Sequence, residues 1–224
     1  MCIDLHTHSS YSDGNLSPKE LVAMALARRL KALALTDHDT VAGVPELLRY
    51  GQEAGLTVIS GVEISTTLRE HTVHILGYGI DPHHSELHTK LRPVQQGRSE
   101  RNRAILAKLD DLGIHISAEE LQDISRHGQT GRPHFAQLLV ARGVVPSVDA
   151  AFDQYLGHGK AAWVPRFSYT AAETIDIIHQ SGGKAVLAHP GVLSPDHEVM
   201  LRLSAELVEA GIDGIEVWYP SHGR

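Results

Sequence analysis

The sequence predicts an α/β fold in which a mostly parallel sheet closes into a barrel. Along most of the chain, short apolar runs alternate with amphipathic segments, as they do where helices connect parallel strands and cover both faces of a sheet. Several apolar runs end in histidine or carboxylate residues. This favours a barrel over an open sheet, because barrels gather reactive groups at the C-terminal rim of their strands. Residues 87–167 break the alternation and predict a helical insertion.

Each regular element has a local signal. The apolar runs predict strands at residues 1–5, 32–36, 57–64, 73–78, 185–188 and 214–218. The amphipathic segments predict helices at residues 18–29, 44–54, 170–181 and 197–210. Ser17 is a good N-cap for the first of these helices and Pro18 suits its first position, while Gly182 and Gly183 end the third.

The insertion has helical spacing throughout and no convincing strand. Its predicted helices are residues 99–112, 118–125, 133–142 and 147–155. Gly113 ends the first of them and Ser117 caps the second. The chain therefore divides into a barrel of residues 1–86 and 168–224 and an insertion domain of residues 87–167, which we expect to cap the functional site.

Composition excludes several classes of protein. The formal charge of −7 argues against a broad face for binding DNA or other nucleic acids. No apolar stretch reaches the ~18 residues of a membrane span, and Asp4 and His6 lie in a predicted strand rather than a signal peptide, so we expect no membrane partner. The single cysteine, Cys2, excludes an internal disulfide and fits the reducing cytoplasm.

Histidines and carboxylates follow the predicted strands in a repeated pattern. The first strand leads into DLHTHSSYSDG (residues 4–14), where His6 and His8 project from one face because strand side chains repeat with period two, and Asp13 lies on the turn that follows. The later strands carry TDHDT (36–40), GVE (61–63), His74, and AHPG (188–191). Nitrogen and oxygen donors that converge at one barrel rim predict a metal site.

The candidate ligands are more numerous than one ion needs. They are five imidazoles and two carboxylates, namely His6, His8, Asp13, His38, Glu63, His74 and His189. More than one ion is therefore implied, and a carboxylate such as Glu63 can bridge two ions ~3.5–4 Å apart.

Several of these residues have plainer alternatives. Asp13 could stabilise the turn at Gly14. His74 could be a packed histidine, and Asp37 or Asp39 could cap a helix, the alternative that we favour for Asp39. Glu63 lies between Val62 and Ile64, where an unpaired charge would be costly, so a metal or another strong partner is the better interpretation for it.

These motifs, in this order, resemble those of the PHP (polymerase and histidinol phosphatase) family. The resemblance covers most of the chain outside the insertion. It implies a distorted (βα)7 TIM-like barrel, metal-dependent hydrolysis of phosphoric esters, and two or three divalent ions, with manganese expected and zinc or iron as alternatives. It also implies that all seven candidates named above are metal ligands. Among them, Asp13, Glu63 and His189 are the expected catalytic residues.

The chain departs from the family pattern at its end. The family's last motif is Asp-x-His after a further strand, whereas this chain stops at Arg224. We therefore expect the barrel to lack its C-terminal end.

Substrate phosphates need cationic partners besides the metals. Arg98 and Arg101 share a helix face at spacing i, i+3, and Arg132 precedes a helix whose N-terminus favours an anion. RxxRN (98–102) and GRPH (131–134) resemble the bacterial subgroup of nucleoside 3′,5′-bisphosphate phosphatases and 5′-to-3′ exoribonucleases, and WYPSH (218–222) matches the same subgroup. The resemblance implies a nucleotide or short RNA substrate with a terminal phosphate. The expected substrate-binding residues are Arg98, Arg101, Arg132, His134 and His222.

Other functions compete with this interpretation. A histidinol-phosphate-type phosphatase fits the metal motifs, but the arginine-bearing insertion argues against it. A polymerase-attached exonuclease is disfavoured by the short chain, and an amide hydrolase by the lack of a lysine at a strand end. A non-catalytic metal- or nucleotide-binding module is the alternative from another class, and the missing terminal motif is its best support.

Overall fold

The computed structural model describes residues 2–125, 128–192 and 196–219. In these residues the strands are β1 (Ile3–Asp4), β2 (Ala32–Leu35), β3 (Thr57–Leu68), β4 (His71–Tyr78), β5 (Lys184–Leu187) and β6 (Gly214–Ile215). The helices are α1 (Pro18–Ala27), α2 (Val44–Ala54), α3 (Ser85–Asp111), α4 (Ala118–Ile124), α5 (Arg132–Ala141), α6 (Val148–Ala151), α7 (Ala171–Gln180) and α8 (His197–Glu209). A π-helical turn, Phe152–Leu156, extends α6, and a 3₁₀ turn, Pro190–Val192, follows β5.

The strands form one mixed sheet in the order β1-β2-β3-β4-β5-β6. Neighbouring strands are parallel except at β4, which runs antiparallel to both β3 and β5. The other five described strands therefore point the same way, and their C-terminal ends lie along one edge of the sheet. The α/β class predicted from the sequence is confirmed.

A β-hairpin replaces one of the expected strand–helix units. β3 and β4 are joined by Arg69 and Glu70, and Leu68 pairs with His71. A connection this short can join only antiparallel strands, since a parallel pair needs a crossover of about a dozen residues. A regular sevenfold repeat of strand–helix units is therefore not what the described residues form. β3 also continues to Leu68 instead of ending at residue 64.

The sheet curls so that distant strands meet. The Tyr78 hydroxyl, from the end of β4, donates to the Leu5 carbonyl after β1 at 2.9 Å. His6, just after β1, lies 3.0 Å from Glu216, just after β6, measured from Nδ1 to Oε1. A flat sheet would keep its first and last strands far apart, so these contacts define a curled, barrel-like sheet.

Most helix starts follow the sequence signals. Ser17 accepts from the Glu20 N–H at the start of α1 and Pro18 occupies the first turn, while Thr170 and Glu173 form the same reciprocal cap on α7. Helix α3 is the exception, because it begins at Ser85, well before the predicted residue 99. Its early residues Leu87, Leu91 and Val94 are buried at helical spacing on either side of Pro93.

Buried apolar side chains form two clusters. The sheet cluster joins residues from Val22 to Leu91 with residues from Ala171 to Leu207. The insertion cluster lies wholly between Ile105 and Ala162 and is centred on fully buried Phe135. None of the described helices combines the length and the apolar character that a membrane span requires. The domain boundaries at residues 87 and 167 remain a prediction.

The insertion cluster can be tested through Phe135. Phe135→Ala leaves a cavity in a fully packed site, so we expect a loss of about 3–5 kcal/mol in the free energy of unfolding, measured by urea titration. Phe167→Ala is the matched control, because Phe167 is 47% exposed and its truncation should cost less than about 1 kcal/mol. Equal losses in the two variants would contradict the assignment of Phe135 to a packed core.

Candidate metal centre

The sheet brings the predicted metal-site residues to one edge. His6 and His8 follow β1, His38 follows β2 and forms a bridge with Glu63 in β3, and His189 follows β5. His74 comes from the antiparallel strand β4, where it pairs with Ser65. This register places it beside the part of β3 that carries Glu63.

Glu63 lies at the centre of the cluster and is 1% exposed. Its two oxygens face different sets of imidazoles. Oε2 lies within 3.1–3.3 Å of ring nitrogens of three histidines, His6, His8 and His38. Oε1 lies 2.8 Å from His74 Nδ1 and 2.9 Å from His189 Nε2. One carboxylate therefore connects two groups of nitrogen donors, as a bridging ligand does.

Asp13 supplies a second carboxylate on the far side of two of these rings. Its Oδ1 lies 3.4 Å from His8 Nδ1 and its Oδ2 lies 3.5 Å from His38 Nε2. The donor atoms fall into three overlapping groups, each spanning at most 4.8 Å: His6, His8 and Glu63; His8, Asp13 and His38; His38, Glu63 and His74.

Two details of the geometry fit a bound cation. His38 Nδ1 is buried and lies 3.1 Å from Glu63 Oε2, yet among the described residues it has no hydrogen-bond partner. His74 Nδ1 and His189 Nε2 lie 3.2 Å apart and face the same Glu63 oxygen. Nitrogen and oxygen donors that converge in this way are suited to divalent manganese, zinc or iron.

Burial and mutual contacts shift the pKa values of several of these donors. Burial lowers the pKa of His38 to about 3, which keeps its imidazole neutral. Burial would raise the pKa of Glu63, but the surrounding histidines, among them the hydrogen-bonded rings of His189 and His6, hold it well below its usual range. Burial likewise opposes protonation of His6, yet hydrogen bonds to Glu216 and Glu63 outweigh it and raise the His6 pKa to about 9. A cation would take the place of that proton.

Asp37 anchors the loop that carries Asp13. Its buried carboxylate accepts from the Ser9 N–H at 2.7 Å, the Ser9 hydroxyl at 2.6 Å and the Ser12 hydroxyl at 2.6 Å. The loop closes tightly at Gly14, where a Cβ atom would lie 2.1 Å from the His8 carbonyl oxygen. A larger residue at position 14 would therefore displace the Asp13 turn.

Asp39 does not cap a helix, contrary to the alternative favoured from the sequence. Helix α2 has Gly43 at its N-cap. The Asp39 carboxylate is fully buried, accepts from the Ser65 N–H at 2.8 Å and pairs with Arg98 and with Arg166, the latter at 3.0 Å. Burial would raise the pKa of Asp39, but these two guanidinium groups hold it well below its usual range.

A cavity of about 430 Å³ extends from the candidate metal centre. Asp13, His38 and His74 lie at one part of its wall, and four arginines form another: Arg98, Arg101, Arg132 and Arg166. Burial, together with the charges of the other three arginines, lowers the pKa of Arg101 to about 8. Crowded guanidinium groups with so little compensating charge form a strong anion-binding surface.

The predicted substrate-binding residues occupy different places. Arg98, Arg101 and Arg132 line the cavity. His134 is buried at the start of α5, where its Nδ1 accepts from the Gly131 N–H at 3.0 Å, and it is not among the residues that line the cavity. His222 lies outside the described residues. The substrate role of each of these residues remains a prediction.

Sequence reasoning missed two charged residues of the site. Glu216 Oε1 lies 3.0 Å from His6 Nδ1, and its Oε2 accepts from the His189 N–H at 2.6 Å. Its signal was an acidic residue between Ile215 and Val217 after a strand, the pattern that singled out Glu63. Arg166 has no such signal, because its partner Asp39 is 127 positions away in the sequence.

Known proteins resemble this chain in sequence and in fold. A family model described as "PHP domain" matches residues 4–184. The chain is 39% identical to the 5′-3′ exoribonuclease Rnm of Escherichia coli, over 96% of this chain and 74% of that protein. It is 38% identical to a 3′,5′-nucleoside bisphosphate phosphatase of Chromobacterium violaceum, over 98% of this chain and 78% of that protein.

A solved structure has the same fold. It is described as an amidohydrolase from Chromobacterium violaceum with bound sulfate and no metal. The two chains superpose with a TM-score of 0.93 at 37% identity, over 100% of this chain and 79% of that one.

The metal centre can be tested at Glu63. Glu63→Gln keeps the shape of the side chain but removes the negative charge that lies between the two sets of imidazole nitrogens. We expect Mn²⁺ affinity to fall at least about 100-fold by calorimetric titration, because even outer-shell partners of metal ligands are worth 10–100-fold. Circular dichroism should show that the variant stays folded.

The control for this prediction is Glu53→Gln, because Glu53 is an exposed glutamate that pairs with Arg49. It should bind Mn²⁺ as the wild type does. Undiminished Mn²⁺ binding by the Glu63 variant would remove Glu63 from the ligand set.

Proposed function

The chain belongs to the PHP domain family, and on this premise we propose that it is a metal-dependent phosphoesterase of nucleotides. It removes the 3′-phosphate from nucleoside 3′,5′-bisphosphates, or acts 5′-to-3′ on short RNA that carries a 5′-monophosphate. The relatives described above carry the names of both activities. Both need the same site, in which one phosphate is held while the next phosphoester is cleaved.

This proposal rests on one observation, a cavity whose wall combines candidate metal ligands with a group of arginines. Its volume of about 430 Å³ falls within the usual size of small-molecule sites. One part presents carboxylates and imidazoles suited to divalent cations, and the other presents four guanidinium groups suited to an oxyanion. A substrate with two phosphates, one to be cleaved and one to be held, matches this division.

The proposed ligands are His6, His8, Asp13, His38, Glu63, His74 and His189. Two or three ions, with manganese as the proposed metal, would activate water and polarise the reacting phosphoryl group. The shared use of Glu63 and His38 by overlapping donor groups supports more than one ion.

Within this site the chain's own groups divide the remaining work. Asp13 faces the cavity, and although burial opposes it, nearby His38 and His8 lower its pKa, so its carboxylate is ionised and can accept a proton. Glu63 holds the imidazoles in place through both oxygens. His189 is fixed through its backbone N–H by Glu216. Asp13, Glu63 and His189 are the proposed catalytic set.

The arginines hold the second phosphate. Arg98, Arg101, Arg132 and Arg166 all belong to residues 87–167, the proposed insertion domain, which would thus cap the barrel rim and supply the substrate pocket. Guanidinium groups bind phosphate oxygens in pairs and fix their orientation. A 5′-phosphate held there would orient the adjoining 3′-phosphoester toward the metal centre.

The activity can be measured directly. Metal-stripped protein is incubated with adenosine 3′,5′-bisphosphate, with and without added Mn²⁺, and released phosphate is quantified. We expect release that depends on the metal and leaves adenosine 5′-monophosphate. Absence of release by protein that has bound Mn²⁺ would contradict the proposed reaction and favour a binding module.

The phosphate pocket can be tested at Arg132. Arg132→Ala removes a charged donor, so we expect KM for the bisphosphate to rise at least about tenfold. Arg103→Ala is the control, because Arg103 lies on exposed α3 surface and should leave KM unchanged. An unchanged KM in the Arg132 variant would remove this residue from the pocket.

A further inference from the structure

We propose that Asp39 is a positioning residue that fixes Arg98 and Arg166 at a set place relative to the metal centre, so that the site selects substrates with a correctly spaced second phosphate. This inference rests on the proposed function, but it concerns a residue for which that function needs no role. Asp39 acts through the two arginines and does not touch the substrate.

Burial separates Asp39 from any ligand in the cavity. Its side chain is 0% exposed, and it is not among the residues that line the cavity. Both carboxylate oxygens are occupied. Oδ1 accepts from the Ser65 N–H at 2.8 Å, and Oδ2 pairs with Arg98 and with Arg166 Nη1, the latter at 3.0 Å. Within the described part of the chain, the two ion pairs of Asp39 are therefore both with arginines of the proposed phosphate pocket.

The backbone of Asp39 is tied to the metal centre instead. Its N–H donates to the Glu63 carbonyl at 2.8 Å, and it directly follows His38 in the chain. Its φ of 55° lies in the left-handed region, which a non-glycine residue occupies only where its surroundings fix it. Gln95 Nε2 donates to its carbonyl at 2.9 Å and adds a further restraint from α3. Asp39 is thus a rigid link between the two ends of the cavity.

Charge explains why such a link is needed. Four guanidinium groups converge on the cavity, and Arg98 and Arg166 are mostly buried, with side chains 8% and 11% exposed. Without the shared carboxylate they would repel each other and separate. Removing it would also strengthen the positive potential, which by itself favours a phosphate. We expect the loss of arginine positioning to weaken phosphate binding more than the stronger potential improves it, because a buried charge deprived of its partner rearranges.

The test compares two ligands that report on the two ends of the cavity. Adenosine 5′-monophosphate reports on the arginines, and Mn²⁺ reports on the metal centre; both are titrated calorimetrically into wild type and Asp39→Asn. We expect the Kd of the nucleotide to rise at least about tenfold and the Kd of Mn²⁺ to change less than about threefold. A purely structural role would weaken both together.

Asp37→Asn is the matched control. Asp37 is equally buried two positions earlier, but it holds the loop of Ser9 and Ser12 that carries Asp13. The Asp37→Asn substitution should weaken the binding of Mn²⁺ more than the binding of the nucleotide, which is the reverse of the result expected for Asp39→Asn. The same pattern in both variants, or an unchanged or tighter nucleotide Kd in Asp39→Asn, would overturn the inference.

A double-mutant cycle tests whether Asp39 acts through Arg166. Asp39→Asn is combined with Arg166→Gln, so that the net charge of the pocket is kept. If Asp39 acts through Arg166, the effect of Asp39→Asn on the nucleotide Kd is smaller in the Arg166→Gln background, whereas strict additivity would overturn the inference. If Asp39→Asn does not fold, Asp39→Glu, which keeps the charge but displaces it, replaces it in the titrations, and an unchanged nucleotide Kd in that variant would overturn the inference. Turnover of the bisphosphate is measured in parallel. Inactive wild type with the expected Kd pattern would refute the proposed function and leave this inference standing.

Discussion

The charge of Glu63, buried in an apolar strand, is the constraint on which the rest of the site depends. A carboxylate that is 1% exposed between Val62 and Ile64 can stay ionised only if partners replace the water that it has lost. Five histidines approach it, four of them from segments that follow β1, β2 and β5 and the fifth, His74, from within β4. Their approach requires the sheet to curl, because His6 at one edge and His189 near the other must reach the same carboxylate.

Two further buried carboxylates, Asp37 and Asp39, bind different kinds of donor in the neighbouring loops. Asp37 collects neutral donors from Ser9 and Ser12 and so fixes a turn. Asp39 collects charged donors from Arg98 and Arg166 and so fixes a binding surface. The two residues flank His38 in a single short segment. The backbone geometry of that segment, set by its hydrogen bonds to Glu63, therefore affects both the candidate metal ligands and the arginines proposed to bind phosphate.

The sequence predicts what depends on local pattern. Helix caps at Ser17 and Ser117, buried strands, and the candidate metal ligands that follow strands are all predicted from the identities of adjacent residues. It does not predict what depends on contacts between distant residues. The sequence gives no clear signal for the β3–β4 hairpin, because the polar residues Ser65, Thr66 and Thr67 continue β3 beyond its apolar part. The predicted start of α3 at residue 99 is too late, because Pro93 interrupts the helical pattern. The role of Arg166 depends on Asp39, a partner that sequence spacing cannot reveal.

Separation of the two charged clusters is itself a physical requirement. Guanidinium groups adjacent to Glu63 would satisfy its charge directly, and the donors would then have no need of a cation. Asp39 binds Arg98 and Arg166 through its Oδ2, whereas its backbone N–H donates to the Glu63 carbonyl. Candidate metal ligands and guanidinium groups therefore line one cavity of about 430 Å³. A ligand with one phosphate to be cleaved and another to be held is the kind of molecule that can use both.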